Sequence, residues 1–216
     1  MQDCIRTVLK AGYGEYEEKR SRFLSFVFPV SVEEDAVGIL NDIKKKYWDA
    51  RHHCYAYSIV SKTLVQRFSD DGEPSGTAGL PILETIRKKG INNVLVVVIR
   101  YFGGILLGAS GLVRAYGKAA SMGLEDAGVI TRKMCYKVLL RIGYHLHGKV
   151  RNIAELNDFA VTDTKYTDVV EIEVLVEPEK KDFFEKAIAE ASGGQAEICF
   201  QGKTYADFDD NGFCIL

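Results

Sequence analysis

The stretches F-S-D-D-G-E-P-S-G-T-A-G-L-P-I-L, Phe68 to Leu83, and N-V-L-V-V-V-I-R-Y-F-G-G-I-L-L-G-A-S-G-L-V-R-A-Y, Asn93 to Tyr116, decide how the chain reads. Val94 to Ile99 has no polar position, so it reads as a strand covered on both faces, at the centre of a sheet. Glycine-bearing turns flank it. Gly72, Pro74 and Gly76 rule out helix in the first turn. Pro81 is tolerated only in a first helical turn, which starts the next helix between Thr77 and Leu80. Gly90 ends that helix. From Ser110 another helix runs to about Asp126, with Leu112, Ala115, Ala119 and Met122 facing inward.

The polar residues of these turns point to a site. Asp70, Asp71 and Glu73 precede a helix N-terminus, where carboxylates are favoured, but three within four positions exceed what a cap needs. Arg100 and Tyr101 leave the C-terminal end of the central strand, where open α/β sheets place ligands. Gly103 and Gly104 free backbone N–H groups for an anion or merely permit tight packing. Arg114 and Lys118 share one helix face behind Ser110. His52 begins a neighbouring strand, where a histidine can shuttle a proton or meet a phosphate. The expectation is one polar cleft that accepts an anion, lined by His52, Asp70, Asp71, Glu73, Arg100, Tyr101, Gly103, Gly104, Ser110 and Arg114. Internal salt bridges tying two turns together are the alternative. No catalytic residue stands out, and the G-K-[S/T] ending of a nucleotide-binding loop is absent.

Working outward, Ile5 to Leu9 and Ser21 to Val30 read as strands, with Gly12 and Gly14 breaking the chain between them. Lys19, Arg20 and Arg22 make the start of the second one basic. Ser31 to Glu34 reads as a capping box ahead of a helix carrying Val32, Ala36, Ile39, Leu40, Ile43 and Tyr47 at helical spacing. Ala50 to Val60 and Leu64 to Phe68 form a hairpin. His52 and His53 alternate to opposite faces, so they cannot ligate one metal together. Gly128 to Lys133 reads as a linker. Beyond it a strand, a helix, a hairpin around Thr167-Asp168, a helix after Pro178 and a strand over Ala196 to Tyr205 give β-α-β-β-α-β, the ferredoxin-like split unit. The expected class is therefore α+β, with domains at residues 1–130 and 135–206. Residues 207–216 read as an acidic, mobile tail.

Composition bounds the function. A 216-residue chain that is 47% apolar has ample core, and its formal net charge of −2 excludes a chain-wide electrostatic nucleic-acid binder. No DNA specificity is evident. Cys4, Cys54, Cys135, Cys199 and Cys214 are odd in number, with no C-x-x-C pair, which signals reduced thiols in the cytoplasm rather than disulfides or zinc. The start M-Q-D-C-I-R has no apolar core of a secretion signal, and the apolar runs are too short to span a membrane.

Three segments, A-R-H-H-C-Y-A-Y (Ala50 to Tyr57), S-D-D-G-E-P-S-G-T-A-G-L-P-I-L (Ser69 to Leu83) and V-I-R-Y-F-G-G-I-L-L-G-A-S-G-L-V-R-A-Y (Val98 to Tyr116), resemble the YigZ/IMPACT family over residues 1–130. His53 departs from the family pattern, which has asparagine there. The resemblance implies a first domain with the left-handed βαβ fold shared by a small-subunit ribosomal protein and elongation factor G. It implies a second domain like the late domains of that factor, as bacterial two-domain members carry. It also implies a cytoplasmic protein linked to translation, because eukaryotic members restrain the kinase that phosphorylates initiation factor two. Those members use an extra N-terminal domain, which is not expected in a chain starting at its first core strand. The expected role is binding or regulation, with the ribosome, RNA or a translation factor as partner. The competing expectation is a hydrolase of phosphate esters or anhydrides, assisted by Mg²⁺ in the same cleft; no other cofactor is expected.

Overall fold

Every residue from Val94 to Ile99 is fully covered, and the run divides one core into two. The computed structural model describes residues 4–215. They form two compact units, Met1–Ile130 and Thr131–Leu216, each described by itself below. The chain is α+β.

The first unit contains β1 (Cys4–Val8), β2 (Gly12–Glu18), β3 (Ser21–Pro29), α1 (Glu33–Lys46), β4 (His52–Val60), β5 (Leu64–Ser69), α2 (Gly79–Lys88), β6 (Val94–Tyr101) and α3 (Ala109–Ala127). Five strands build one sheet in the order β2-β3-β6-β4-β5, antiparallel at every pairing. Alternation along β6 sends Val94, Val96 and Val98 to the face covered by α2 and α3. Leu95, Val97 and Ile99 go to the face covered by α1. Arg100 continues the first series and Tyr101 the second, and that parity sets the chemistry of the strand end.

Three local expectations are corrected. Gly12 and Gly14 lie inside β2 instead of breaking the chain, because α3 rests directly on them. A Cβ at Gly12 would stand 2.5 Å from the Ala127 nitrogen, and one at Gly14 2.6 Å from the Gly123 nitrogen. The capping box is not formed: α1 starts at Glu33 with Val32 as its cap residue and no side-chain cap bond. Glu33 instead accepts the Tyr57 hydroxyl at 2.8 Å. Finally, strand-end ligand binding is a rule for parallel open sheets, and this sheet is antiparallel throughout.

The second unit holds most of β7 (Val129–Ile142), then α4 (His147–Leu156), β8 (Ala160–Tyr166), β9 (Val170–Val176), α5 (Lys181–Ser192), β10 (Glu197–Phe208) and β11 (Cys214–Ile215). Its strands lie in the order β11-β10-β7-β9-β8. Val170, Ile172, Val174 and Val176 turn inward with Phe184 and Ile188 of α5. The opposite face carries cross-strand ion pairs, Lys137 with Glu173 at 2.8 Å and Arg141 with Glu171 at 2.8 Å.

Two connections differ from expectation. Val129 to Lys133 is strand rather than a loop linker, and the division between units falls inside β7. Residues 207–215 are not a loose tail. Asp207 and Phe208 finish β10, Asp209 accepts the N–H groups of Asn211 and Phe213, and β11 pairs back onto β10. The N-terminal residues 1–3, read above for a secretion signal, and Leu216 lie outside the described residues.

Candidate functional site

The turn after β5 is built by its own sequence. Asp71 and Gly72 both have positive φ, 42° and 88°, and the Glu73 N–H closes onto the Asp70 carbonyl at 2.9 Å. Left-handed backbone at both central positions suits an Asp-Gly pair. Asp70 then reaches forward. Its carboxylate accepts the N–H groups of Gly76 at 2.8 Å, Ala78 at 3.0 Å and Gly79 at 2.8 Å, so it caps α2 from the preceding turn.

Asp71 faces the start of β4. Its carboxylate accepts the His53 N–H at 2.8 Å and the Lys44 ammonium at 3.2 Å. Burial alone would raise this carboxyl, but the His53 N–H and Lys44 together outweigh it and hold Asp71 below its ordinary value. The Asp71 carbonyl lies 2.9 Å from His52 Nδ1. A carbonyl only accepts, so Nδ1 carries the proton of this bond.

Glu73 and Arg100 are buried, 8% and 7% exposed, so neither lines an open cleft. Arg100 donates to Glu73 Oε1 at 2.7 Å, and the Tyr116 hydroxyl of α3 donates to the same oxygen at 2.8 Å. The guanidinium also lies over the rings of Phe23 and Phe102, 5.6 and 5.5 Å from their centroids. Its Nε has no hydrogen-bond partner among the described residues. Cys54 sits beside this network, its thiol 3.0 Å from the Asp70 carbonyl. Burial pushes that thiol up to about 12 and the Tyr116 hydroxyl higher still, so neither offers an anionic nucleophile near neutral pH.

Direct contacts therefore join His52, Asp70, Asp71, Glu73 and Arg100 into one buried or half-buried polar seam. Of the other expected residues, Gly103 adjoins the seam through Ser21 Oγ, which also accepts from Arg100, and the rest stand elsewhere. Tyr101 points to the α1 face, opposite Arg100, and donates to Asp49 at 3.0 Å. Gly103 presses on the β2–β3 turn, where an added Cβ would lie 2.0 Å from the Arg20 carbonyl carbon. Close packing accounts for that glycine. Its N–H donates to Ser21 Oγ at 3.2 Å. Gly104 and Ser110 are exposed. Arg114 is exposed as well and lines an open groove of about 490 Å³ between α2 and α3, with Lys88, Lys89, Lys118 and Glu84.

The sequence reading missed Tyr116, Cys54 and Lys44. Tyr116 carried a usable signal: it shares the inward helix face with Leu112 and Ala119, and a buried tyrosine hydroxyl needs a partner. The bond from Lys44 carried none, because it joins α1 to a turn remote in sequence.

The family model described as the Impact N-terminal domain matches residues 19–124, and a domain of unknown function, DUF1949, matches residues 140–195. The IMPACT family member YvyE of Bacillus subtilis (strain 168) is 39% identical over 201 residues, covering 93% of each chain. The IMPACT family member YigZ of Escherichia coli (strain K12) is 32% identical over 184 residues, 84% of this chain and 90% of that one. The crystal structure of a hypothetical protein matches with a TM-score of 0.57 at 29% identity, over 93% of this chain and 98% of the other.

Proposed function

This chain belongs to the IMPACT family, and on that premise we propose that it is a translation-associated binding protein of the cytoplasm, contacting the ribosome, RNA or a translation factor through its first unit. The control of an initiation-factor kinase that the resemblance implies for eukaryotic members supports a place in translation. The observation that carries the choice of binding over catalysis is the Glu73–Arg100–Tyr116 network. The groups best suited to chemistry are turned on one another inside the fold, and the thiol beside them stays protonated. A Mg²⁺-assisted hydrolase would need free carboxylate oxygens facing one cation. Asp70 is committed through both oxygens to three backbone N–H groups, Asp71 through both to His53 and Lys44, and Glu73 Oε1 to Arg100 and Tyr116. That leaves Glu73 Oε2 as a lone carboxylate oxygen rather than a converging set.

The surface around that seam suits a partner. Phe102, Ile105 and Leu106 are exposed, Leu106 at 82%, on the loop between β6 and α3. Gly103 seats this loop against the β2–β3 turn, which presents the exposed Lys19 and Arg20. An apolar knob beside basic residues is the form of a recognition surface. The test is co-sedimentation of the full chain with ribosomal subunits from a crude lysate. Association is expected at low salt and should weaken as salt rises. Free sedimentation at every ionic strength would overturn the proposal.

A further inference from the structure

The helices α2 and α3 run side by side in the same direction. Thr85 Oγ1 lies 3.6 Å from where a Cβ on Gly117 would stand, and Lys89 meets Glu125 at 3.8 Å further along. Gly117 contributes no side chain, which keeps the floor of the groove between the helices low. Lys88, Lys89, Arg114 and Lys118 line it, against a single lining carboxylate, Glu84. Only Lys89 has an ion partner; the side chains of Lys88, Arg114 and Lys118 make no hydrogen bond or ion pair with any described residue. On the second unit's sheet, by contrast, Arg132, Lys137 and Arg141 are each paired with a carboxylate. Cations crowded on facing helix surfaces repel one another, so the groove retains a local cost that a polyanion would relieve. The charge is also local. Residues 1–130 carry 17 Lys and Arg against 15 Asp and Glu, and residues 131–216 carry 11 against 15.

We propose that this groove binds the phosphodiester backbone of single-stranded RNA, a partner class that rests on the translation-associated reading. Arg114 and Lys118 are one helical turn apart, a rise of about 6 Å, which suits successive phosphates of an extended strand. RNA is favoured over an acidic peptide by what stands at the Arg114 end. There the chain enters α3 from the loop that exposes Phe102, Ile105 and Leu106, an aromatic and apolar surface on which unpaired bases stack. Lysines act on the phosphates as point charges, and Arg114 can fork onto phosphate oxygens.

The experiment is fluorescence anisotropy of the full chain with a labelled, mixed-sequence single-stranded RNA, titrated with NaCl. Binding is expected at low salt, with affinity falling linearly on a log–log plot. The triple variant Lys88→Gln/Arg114→Gln/Lys118→Gln changes exposed side chains only, and its melting curve checks that it folds. It should lose roughly tenfold or more in affinity and flatten the salt slope by about 2, at about 0.7 per lost phosphate contact on a single strand. A Lys62→Gln/Lys149→Gln control should bind as wild type. No RNA binding by the wild type, or an unchanged slope in the triple variant, overturns the proposal. If the chain still co-sediments with ribosomal subunits in either case, the groove assignment fails and the translation-associated reading stands. Loss of both removes both.

Discussion

Arg100 and Arg114 bracket one glycine-rich loop, yet they sit in opposite physical regimes. Arg100 stands at the end of a strand buried on both faces, points to the α2 and α3 side, and is held by Glu73, Ser21 and two aromatic rings. Arg114 stands on the outer surface of α3 in a groove lined by Lys88, Lys89 and Lys118, of which only Lys89 has an ion partner among the described residues. Desolvation separates them. A guanidinium removed from water requires a carboxylate partner to persist, whereas an exposed one keeps its charge available to a ligand. Residue type does not distinguish a structural arginine from one left open to solvent; the parity of a strand and the outward face of a helix do.

The sharpest way to break this contrast is to remove one partner of the buried pair. Glu73→Ala leaves Arg100 charged, unpaired and covered. The expected loss is about 3–5 kcal/mol in urea unfolding, the range for orphaning one member of a buried ion pair. A loss under about 1 kcal/mol would mean that water reaches Arg100 and that the seam is a site after all.

Gly103→Ala tests whether the loop glycine serves packing or an anion. The new methyl group would collide with the Arg20 backbone, which has no flexible end to move aside. A destabilisation of about 1–3 kcal/mol is expected, as for overpacking. Wild-type stability combined with lost RNA or ribosome binding would restore the anion-cradle reading.

Legibility in the sequence followed these physical lines. The central strand was plain because Val94 to Ile99 has no polar position. The α2 start was plain because Pro81 admits only the first turn. The strand β2 was hidden because Gly12 and Gly14 usually mark breaks, and their cause, the backbone of α3, is remote in sequence. Residues His52, Asp70, Asp71, Glu73 and Arg100 do gather. Their gathering leaves little for a ligand, because partner assignments such as Asp70 to the α2 N–H groups depend on the closed turn. Tyr101 was misplaced by treating neighbours on a strand as neighbours in space. Arg114 is expected beside the carboxylates because the glycine turn and the start of α3 would aim it there, whereas it lies on the exposed face of α3 and the second wall of its groove comes from α2.

A smaller effect is expected at Asp71, whose carboxylate is half-buried. Its folded pKa is depressed below the ordinary 3.8. A depressed folded value adds stability above the unfolded pKa and loses it as pH falls through the folded one. Solvent screening keeps the contribution within about 1 kcal/mol. Asp71→Asn should therefore lower the Tm slightly at pH 7, and the gap from wild type should close as pH drops below about 4. An equal gap at pH 3 and pH 7 would show that the carboxylate charge is irrelevant there.

The division between the two arginines is tested most directly by measuring unfolding free energy and ribosomal-subunit co-sedimentation on the same two variants, Glu73→Gln and Arg114→Gln. Glu73→Gln should be clearly destabilised, yet in its folded fraction it should bind as wild type. Arg114→Gln should keep its stability within about 0.5 kcal/mol, as exposed substitutions do, and bind more weakly. A folded Glu73→Gln protein that no longer binds, beside an Arg114→Gln protein that binds normally, would contradict the account.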